Sequence, residues 1–589
     1  MKSFLKYTLA TITGVIISTF LISIIMLGIL GVMISSQDKP VHIKNNSVLH
    51  LKINKAIPDR SSVNAMEIDF LSFELKPQLG LNDILENLEK AKKDDKIKGV
   101  FLEFGFITPG IATMEEIRDA LNDFKSSGKF IIAYSNEVMS HSAFFLATVA
   151  DKIYLNPVAI FEFMGLRSEV MYYKGALEKL GVEIQIVRHG EYKSAVEPYI
   201  RENMSTESRD QIMSYMGSIW KHMLEIISEA RNIPIDELNR IADELLVKNP
   251  QEALNLGLVD AIKYQDEVLD DLLINSGLPE TKDLNLVSFS KYSKVPKTRD
   301  GKGLAKNKIA IVYATGVIGF ASKSEYSIGG PTFVKAIRAA RKDSTVKAIV
   351  LRVNSPGGSA MVSEHIWREV QLAQNEKPVI ASMGNVAASG GYYIVAPAEA
   401  IFCEPTTITG SIGVFGLLPN AEKLLNQKLG ITFDVAKTNK YSDFGSIYRP
   451  LKPMEREYLQ AGIEKTYSDF VSKVGEGRDM PLQEVDRIGQ GRVWSGINAL
   501  EIGLADQFGG LKTAIEYAAA SAKLEHYRIV SYPQYQDPFE KLLKTLSGDI
   551  LSRKLSKEMG IYYQYFDDFR NVLETKGTQM RMPFRIDIF

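Results

Sequence analysis

The sequence contains a single cysteine, Cys403, among 589 residues. One cysteine forms no intrachain disulfide and cannot supply a cysteine-rich zinc site. The seven histidines are scattered, with no HExxH and no close pair, which argues against a structural metal and against redox chemistry. Net charge is missing too. Seventy Lys and Arg balance 71 Asp and Glu to leave −1, so the basic excess of a typical nucleic-acid binder is absent. No phosphate loop ending in GKS or GKT occurs, and neither does a GxSxG nucleophile turn. What is present is ordinary for folded protein: 45% hydrophobic and 24% charged residues, far from a disordered composition. The length is about four times that of a common domain, so two or more domains are expected.

Long apolar runs are absent except at the N-terminus. From Tyr7 to Gln37 no residue is charged, and about 20 apolar residues suffice to cross a bilayer core. Lys2 and Lys6 precede the run, which favours a cytoplasmic N-terminus, although Lys39 and Lys44 on the far side weaken that bias. A cleavable signal peptide is the competing reading. Its apolar region is usually about 7–15 residues and ends at a small-x-small site, whereas Ile34–Ser35–Ser36 makes a poor one. The expectation is an uncleaved anchor carrying a body on one face of the membrane.

That body repeats itself. Lys129–Ala133 (KFIIA) matches Lys377–Ala381 (KPVIA), Ile97–Leu102 (IKGVFL) matches Val346–Leu351 (VKAIVL), and Ala253–Asp260 (ALNLGLVD) matches Ala499–Asp506 (ALEIGLAD). The offsets are 248, 249 and 246 residues, in the same order along the chain, the signature of a duplicated unit. Short β-branched runs (Ile309–Val312, Ala348–Val353, Val379–Ser382) alternate with amphipathic stretches (Thr332–Arg341, Val362–Gln374). Such alternation predicts βαβ units and mainly parallel sheets. The chain divides into a stub and anchor (1–40), a first repeat (41–287), a Lys-, Ser- and Gly-rich linker (288–307), a second repeat (308–533) and a tail (534–589). Helical periodicity over Pro538–Lys557 gives the tail its only legible feature.

Two segments can carry chemistry. Asn354–Ser359 (NSPGGS) follows an apolar strand; paired glycines there leave backbone N–H groups open, as an oxyanion hole requires. A plain strand-to-helix turn is the alternative. Asn385–Tyr393 (NVAASGGYY) places Ser389 where a strand turns into a helix, a position that favours a nucleophile. No histidine base accompanies it, and His365, on an amphipathic helix, reads as a surface or packing residue. The repeat offers another base. His141 stands at the Ser389 position of the first half, and Thr108–Pro109 stand at that of Gly357–Gly358. Conversely, Val182–Lys193 (VEIQIVRHGEYK) aligns with Ile431–Ser442 (ITFDVAKTNKYS), so Lys193 stands where the second half has Ser442. A lysine base must be neutral, which takes burial or a neighbouring like charge. By these residues alone Lys193 is either such a base or a solvated surface charge.

Together the motifs resemble the signal peptide peptidase A family (protease IV, peptidase family S49) in its long, two-repeat, membrane-anchored bacterial form. The resemblance rests on Ser355–Gly358 (SPGG), Ala387–Tyr393 (AASGGYY), Thr409–Val414 (TGSIGV) and Gly190–Tyr199 (GEYKSAVEPY), and covers nearly the whole chain. It implies two tandem crotonase-like (ClpP-like) α/β repeats with mainly parallel sheets, behind one N-terminal transmembrane helix. It also implies Ser389 as nucleophile, Lys193 as general base, Ser411 as the residue orienting that lysine, and the N–H groups of Gly358 and Gly390 as oxyanion hole. No cofactor or metal is implied. The implied substrates are cleaved signal peptides and other extended peptides. The implied setting is a homotetramer on the bacterial inner membrane with its catalytic body on the periplasmic side and no nucleic-acid partner. Two rival readings remain at this level: a crotonase-type acyl-CoA enzyme, and a non-catalytic membrane scaffold.

Overall fold

Strands covered by helices on both faces read as continuous apolar runs, and such runs form the two central sheets here. The computed structural model describes residues 6–8, 10–22, 24, 42–69, 74–106, 110–279, 281–296, 305–321, 327–534 and 578–582. In the first half the strand order is Ala261–Ile262, Lys152–Leu155, Phe130–Ser135, Ile97–Phe104, Ser47–Ile53 and Asn285–Ser288. Every neighbouring pair is parallel. Parallel neighbours need long crossovers, and helices such as Leu81–Lys93 and Ile111–Lys125 supply them.

The second half repeats this order with Gln507–Phe508, Ala400–Cys403, Val379–Ala388, Val346–Ser355, Lys308–Thr315 and Arg528–Tyr532, again all parallel. Ile97–Phe104 and Val346–Ser355, matched in sequence, hold the same place in their sheets. Beyond Ser382 the long strand Val379–Ala388 continues against Ile408–Gly410, which pairs antiparallel with Val493–Ser495. The helices expected over Thr332–Arg341 and Val362–Gln374 run Gly330–Lys342 and Ala360–Gln374. The second of these buries Val362, Ile366, Val370 and Ala373, a stripe at the spacing of one helix face.

A third sheet joins the halves. Its order is Ser327–Gly329, Val317–Gly319, Gly357–Ser359, Gln579–Arg581, Val414–Asn420 and Glu183–His189. The last strand belongs to the first half and lies antiparallel on the second, from His189 opposite Val414 to Glu183 opposite Asn420.

Three expectations meet the structure differently. The stretch read as linker from Ser288 opens with the helix Phe289–Tyr292, whose Phe289 and Tyr292 are buried against the first half. Lys90 Nζ donates to the Tyr292 and Val295 carbonyls at 2.7 and 3.0 Å. Its Lys- and Ser-rich composition hid two core aromatics three residues apart. In the N-terminal run, residues 7, 8, 10–22 and 24 are helical and the remainder lies outside the described residues. No helix among the described residues is long and apolar enough to cross a membrane. The tail stretch Pro538–Lys557 also lies outside them.

A buried ion pair locks the halves beneath the glycine turn. Arg352, fully buried on Val346–Ser355, donates through Nε to Asp59 at 2.7 Å and through Nη2 to Glu116 at 2.5 Å. Its Nη1 donates to Ser382 Oγ at 2.9 Å. Asn354, next to the turn, donates to the other Asp59 oxygen at 3.0 Å. Removing one partner of such a network leaves a buried charge uncompensated. Arg352→Ala is therefore expected to lower stability by about 3–5 kcal/mol, read as a drop in the urea unfolding midpoint. An unchanged midpoint would mean that the network does not hold the halves together.

Candidate active site

Ser389 sits between the strand Val379–Ala388 and the helix Gly390–Val395. Its backbone is at φ 56° and ψ −117°, a conformation that costs a non-glycine residue about 1–3 kcal/mol. Two hydrogen bonds hold it there: Ser389 N–H to the Gly410 carbonyl at 2.8 Å, and Tyr393 N–H to the Ser389 carbonyl at 2.8 Å. Glycine is needed just after it, because a Cβ on Gly391 would lie 2.5 Å from the Ser355 carbonyl oxygen.

Lys193 reaches the same place from the first half. The strand Glu183–His189 is pinned along Val414–Asn420, and the chain then turns through Gly190 at φ 101°. Tyr192 N–H donates to the Gln490 carbonyl at 3.0 Å. Gln211, on the long helix Thr206–Arg231, donates to the Tyr192 carbonyl and Ser194 Oγ at 3.0 and 2.9 Å, and accepts from Val493 N–H at 3.1 Å. The lysine stem runs against bare backbone. A Cβ on Gly491 would stand 2.7 Å from Lys193 Cβ, and one on Gly413 would stand 3.1 Å from Cδ.

At its tip, Lys193 Nζ lies 2.9 Å from Ser389 Oγ, 2.9 Å from Ser411 Oγ and 3.0 Å from the Ser411 carbonyl. All three residues are fully buried. None of these partners is a carboxylate, so burial pushes the lysine well below its ordinary pKa. The contacts suit a neutral amine: two N–H groups directed at Ser411, and a lone pair for the Ser389 hydroxyl proton. Ser411 is itself at φ 51° and donates its N–H to the Arg492 carbonyl at 2.7 Å.

The glycine turn closes the site. A Cβ on Gly357 would lie 2.6 Å from the Gly390 nitrogen, so the turn abuts the start of the Ser389 helix. As the first helical residue, Gly390 has an N–H with no intrahelical acceptor. A Cβ on Gly358 would fall 2.0 Å from the Ile318 carbonyl oxygen. Ser355 Oγ braces the turn, accepting from Gly357 N–H at 3.2 Å and donating to the Gly316 carbonyl at 2.6 Å.

Ser389, Lys193 and Ser411 thus meet within one chain, with Gly357, Gly358 and Gly390 alongside. The counterparts from the repeat fall elsewhere. His141 begins a helix as Gly390 does, but its Nε2 accepts from Met164 N–H at 2.8 Å, and burial pulls its pKa down to about 4. Ser442 and His365 are exposed, and Thr108–Pro109 lie outside the described residues. Sequence reasoning missed Gln211 and Gly491, and met Ser355 and Gly413 only as members of SPGG and TGSIGV, without the bracing and clearance they provide here.

Comparison with known proteins gives the class that this fold and site define: the chain is a serine protease. It belongs to peptidase family S49, whose profile matches residues 123–278 and 371–525, one match in each half. Protease 4 of Salmonella typhi is 33% identical over 571 residues, spanning 93% of this chain and 91% of its own. The chloroplastic serine protease SPPA of Arabidopsis thaliana is also 33% identical, over 92% of this chain and 78% of its own. Protease 4 of Haemophilus influenzae is 34% identical over 79% and 77%. A solved ClpP1 mutant from Listeria monocytogenes overlaps 35% of this chain and 94% of its own at 14% identity, with a TM-score of 0.24, too low to rest anything on. Membership in this family displaces the acyl-CoA and scaffold readings.

Burying Lys193 without a counter-charge has a measurable cost. Between its depressed pKa and 10.5, the ordinary value, the unfolded chain binds a proton at this lysine that the folded chain does not, so stability rises with pH there. Each unit of depression corresponds to about 1.4 kcal/mol. Lys193→Met is expected to unfold at a higher temperature than the parent at neutral pH, with the gap closing as pH approaches about 10. A variant less stable than the parent at neutral pH would contradict an uncompensated buried amine.

Proposed function

We propose that the protein is a membrane-anchored endopeptidase in which Ser389 is the nucleophile and Lys193 the general base. The observation that carries this reading is the 2.9 Å contact between Lys193 Nζ and Ser389 Oγ, in a fully buried setting that favours the neutral amine. As Ser389 Oγ attacks a peptide carbonyl, Lys193 takes its proton, and two Ser411 oxygens hold the resulting ammonium. The N–H groups of Gly358 and Gly390 receive the charge that develops on the carbonyl oxygen. Lys193 then hands the proton to the departing amine. Water attacks the acyl-enzyme with the lysine again as base, and Ser389 is restored.

The motif resemblance supports cleaved signal peptides as substrates, along with other extended peptides. The uncharged run Tyr7–Gln37 supports an anchor beside a membrane-embedded substrate, and the motif resemblance supports a homotetramer on the periplasmic side of the bacterial inner membrane. Two crotonase-like (ClpP-like) repeats remain the proposed fold ancestry, supported by the matched strand orders.

A fluorophosphonate reagent should label the wild-type chain at Ser389 and leave Ser389→Ala unlabelled, with peptide-ester hydrolysis lost in step. Modification mapped to another serine would overturn the assignment. Because burial lowers the lysine pKa, kcat/KM should fall on acidification as Lys193 gains a proton. Lys193→Arg, which stays protonated, should lose activity by about a thousandfold or more; near-normal turnover in that variant would exclude the lysine as base.

A further inference from the structure

Lys193 stands at the apex of a tight turn. Its backbone is at φ −74° and ψ 70°, and Ser194 N–H donates to the Tyr192 carbonyl across it at 2.7 Å. That is the form of an inverse γ-turn. The lysine side chain leaves from the apex, so any tilt of the turn is amplified along its length before it reaches Nζ.

One side-chain amide grips both ends of this turn. Gln211 Nε2 donates to the Tyr192 carbonyl at 3.0 Å and to Ser194 Oγ at 2.9 Å. The oxygen of the same amide accepts from Val493 N–H at 3.1 Å. Val493 lies opposite Gly410 in its antiparallel pair, and the Gly410 carbonyl holds Ser389 N–H at 2.8 Å. One residue before Val493, the Arg492 carbonyl holds Ser411 N–H at 2.7 Å. A single planar group thus spans from the turn of the lysine to the strand that fixes both serines.

Packing alone does not account for a glutamine here. Gln211 is 1% exposed, on the face of Thr206–Arg231 that also buries Ile212, Tyr215 and Ile219. Apolar side chains are the usual occupants of such a stripe, and a buried amide is tolerated only when it is hydrogen-bonded. Both N–H groups and the oxygen of Gln211 are used, and all three partners belong to the turn or to the strand beside the serines.

We propose that Gln211 is a positioning residue for catalysis, an amide clamp that sets the Lys193 turn against the strand supporting Ser389 and Ser411. This rests on the reading of Lys193 as base given above. Gln211 touches none of the reacting atoms and acts through the turn.

The test is Gln211→Met in the full chain, which keeps a side chain of similar length and removes its hydrogen bonds. Misplacing a reacting group by about 1 Å costs about a hundredfold in rate. With a peptide ester, kcat per site titrated by fluorophosphonate should therefore fall by about tenfold to a hundredfold, with KM nearly unchanged. The acid limb of the kcat/KM profile should move to higher pH, because a lysine released toward water takes up its proton more readily. If that variant does not fold, Gln211→Asn, whose amide is one methylene too short to span turn and strand, reads the same loss. A further measurement needs no turnover. In the parent, stability rises with pH between the depressed pKa of Lys193 and 10.5; in the variant that rise should shrink as the amine reaches water. A smaller rise would uphold the clamp even if Lys193→Arg kept its activity and the lysine were not the base. Unchanged kcat per titrated site, with the acid limb and the rise in stability both unmoved, overturns the proposal even where the unfolding midpoint drops, because the glutamine would then only pack.

Discussion

A primary amine held out of water with no carboxylate beside it is the constraint on which the rest of this structure depends. Lys193 is fully buried, and its partners are two serine hydroxyls and one carbonyl. Such a group is stable only if it stays neutral and every polar atom near it is satisfied. That requirement accounts for the local backbone. Ser389 and Ser411 both adopt positive φ, which aims their hydroxyls at one nitrogen. Gly413 and Gly491 lack the side chains that would block the lysine stem. The strain at the serines is offset by ladder and helix hydrogen bonds on either side, so the reactive geometry is a consequence of packing.

The amine and the serine come from different copies of a duplicated unit, and the junction between copies has to be rigid. Two devices supply that rigidity. The strand Glu183–His189 is added to the edge of Val414–Asn420 over seven opposed residues, which sets the lysine's approach. Beneath the glycine turn, Arg352 gathers Asp59 and Glu116 from the first half, and Asn385 exchanges hydrogen bonds with Thr113 at 3.0 and 2.8 Å. Buried charges of this sort add little net stability but penalise every arrangement in which they separate. Duplication left each half free to lose what the other kept. In the first half the position of the serine became His141, which burial holds neutral in an aromatic cluster with Phe163 and Trp220.

Much of the site was legible because its parts carry backbone constraints. Positive φ and close backbone approach demand glycine, so SPGG, SGG and GSIG were visible as strings. The repeat was visible because core positions of matched strands must stay apolar, as in Ile97–Leu102 and Val346–Leu351. Gln211 was not visible. A single glutamine on a 26-residue helix looks like any polar helical residue until the fold brings Tyr192 and Val493 to it. The helix Phe289–Tyr292 was hidden for a related reason, since four residues are too few for a periodicity to stand above their polar surroundings.

By itself the amino-acid sequence determined the class of fold, the duplication, and a short set of candidate residues. Those follow from local rules: periodicity, glycine conformation and residue chemistry. Whether Lys193 is a surface cation or a buried amine was decided only by tertiary structure. Burial depends on strands some 200 residues apart lying side by side, as Glu183–His189 and Val414–Asn420 do, and no local pattern encodes the dielectric around an amine. The same holds for the tail. Its strand reads as five unremarked residues, Thr578 to Met582, until the glycine turn is found waiting opposite Met580.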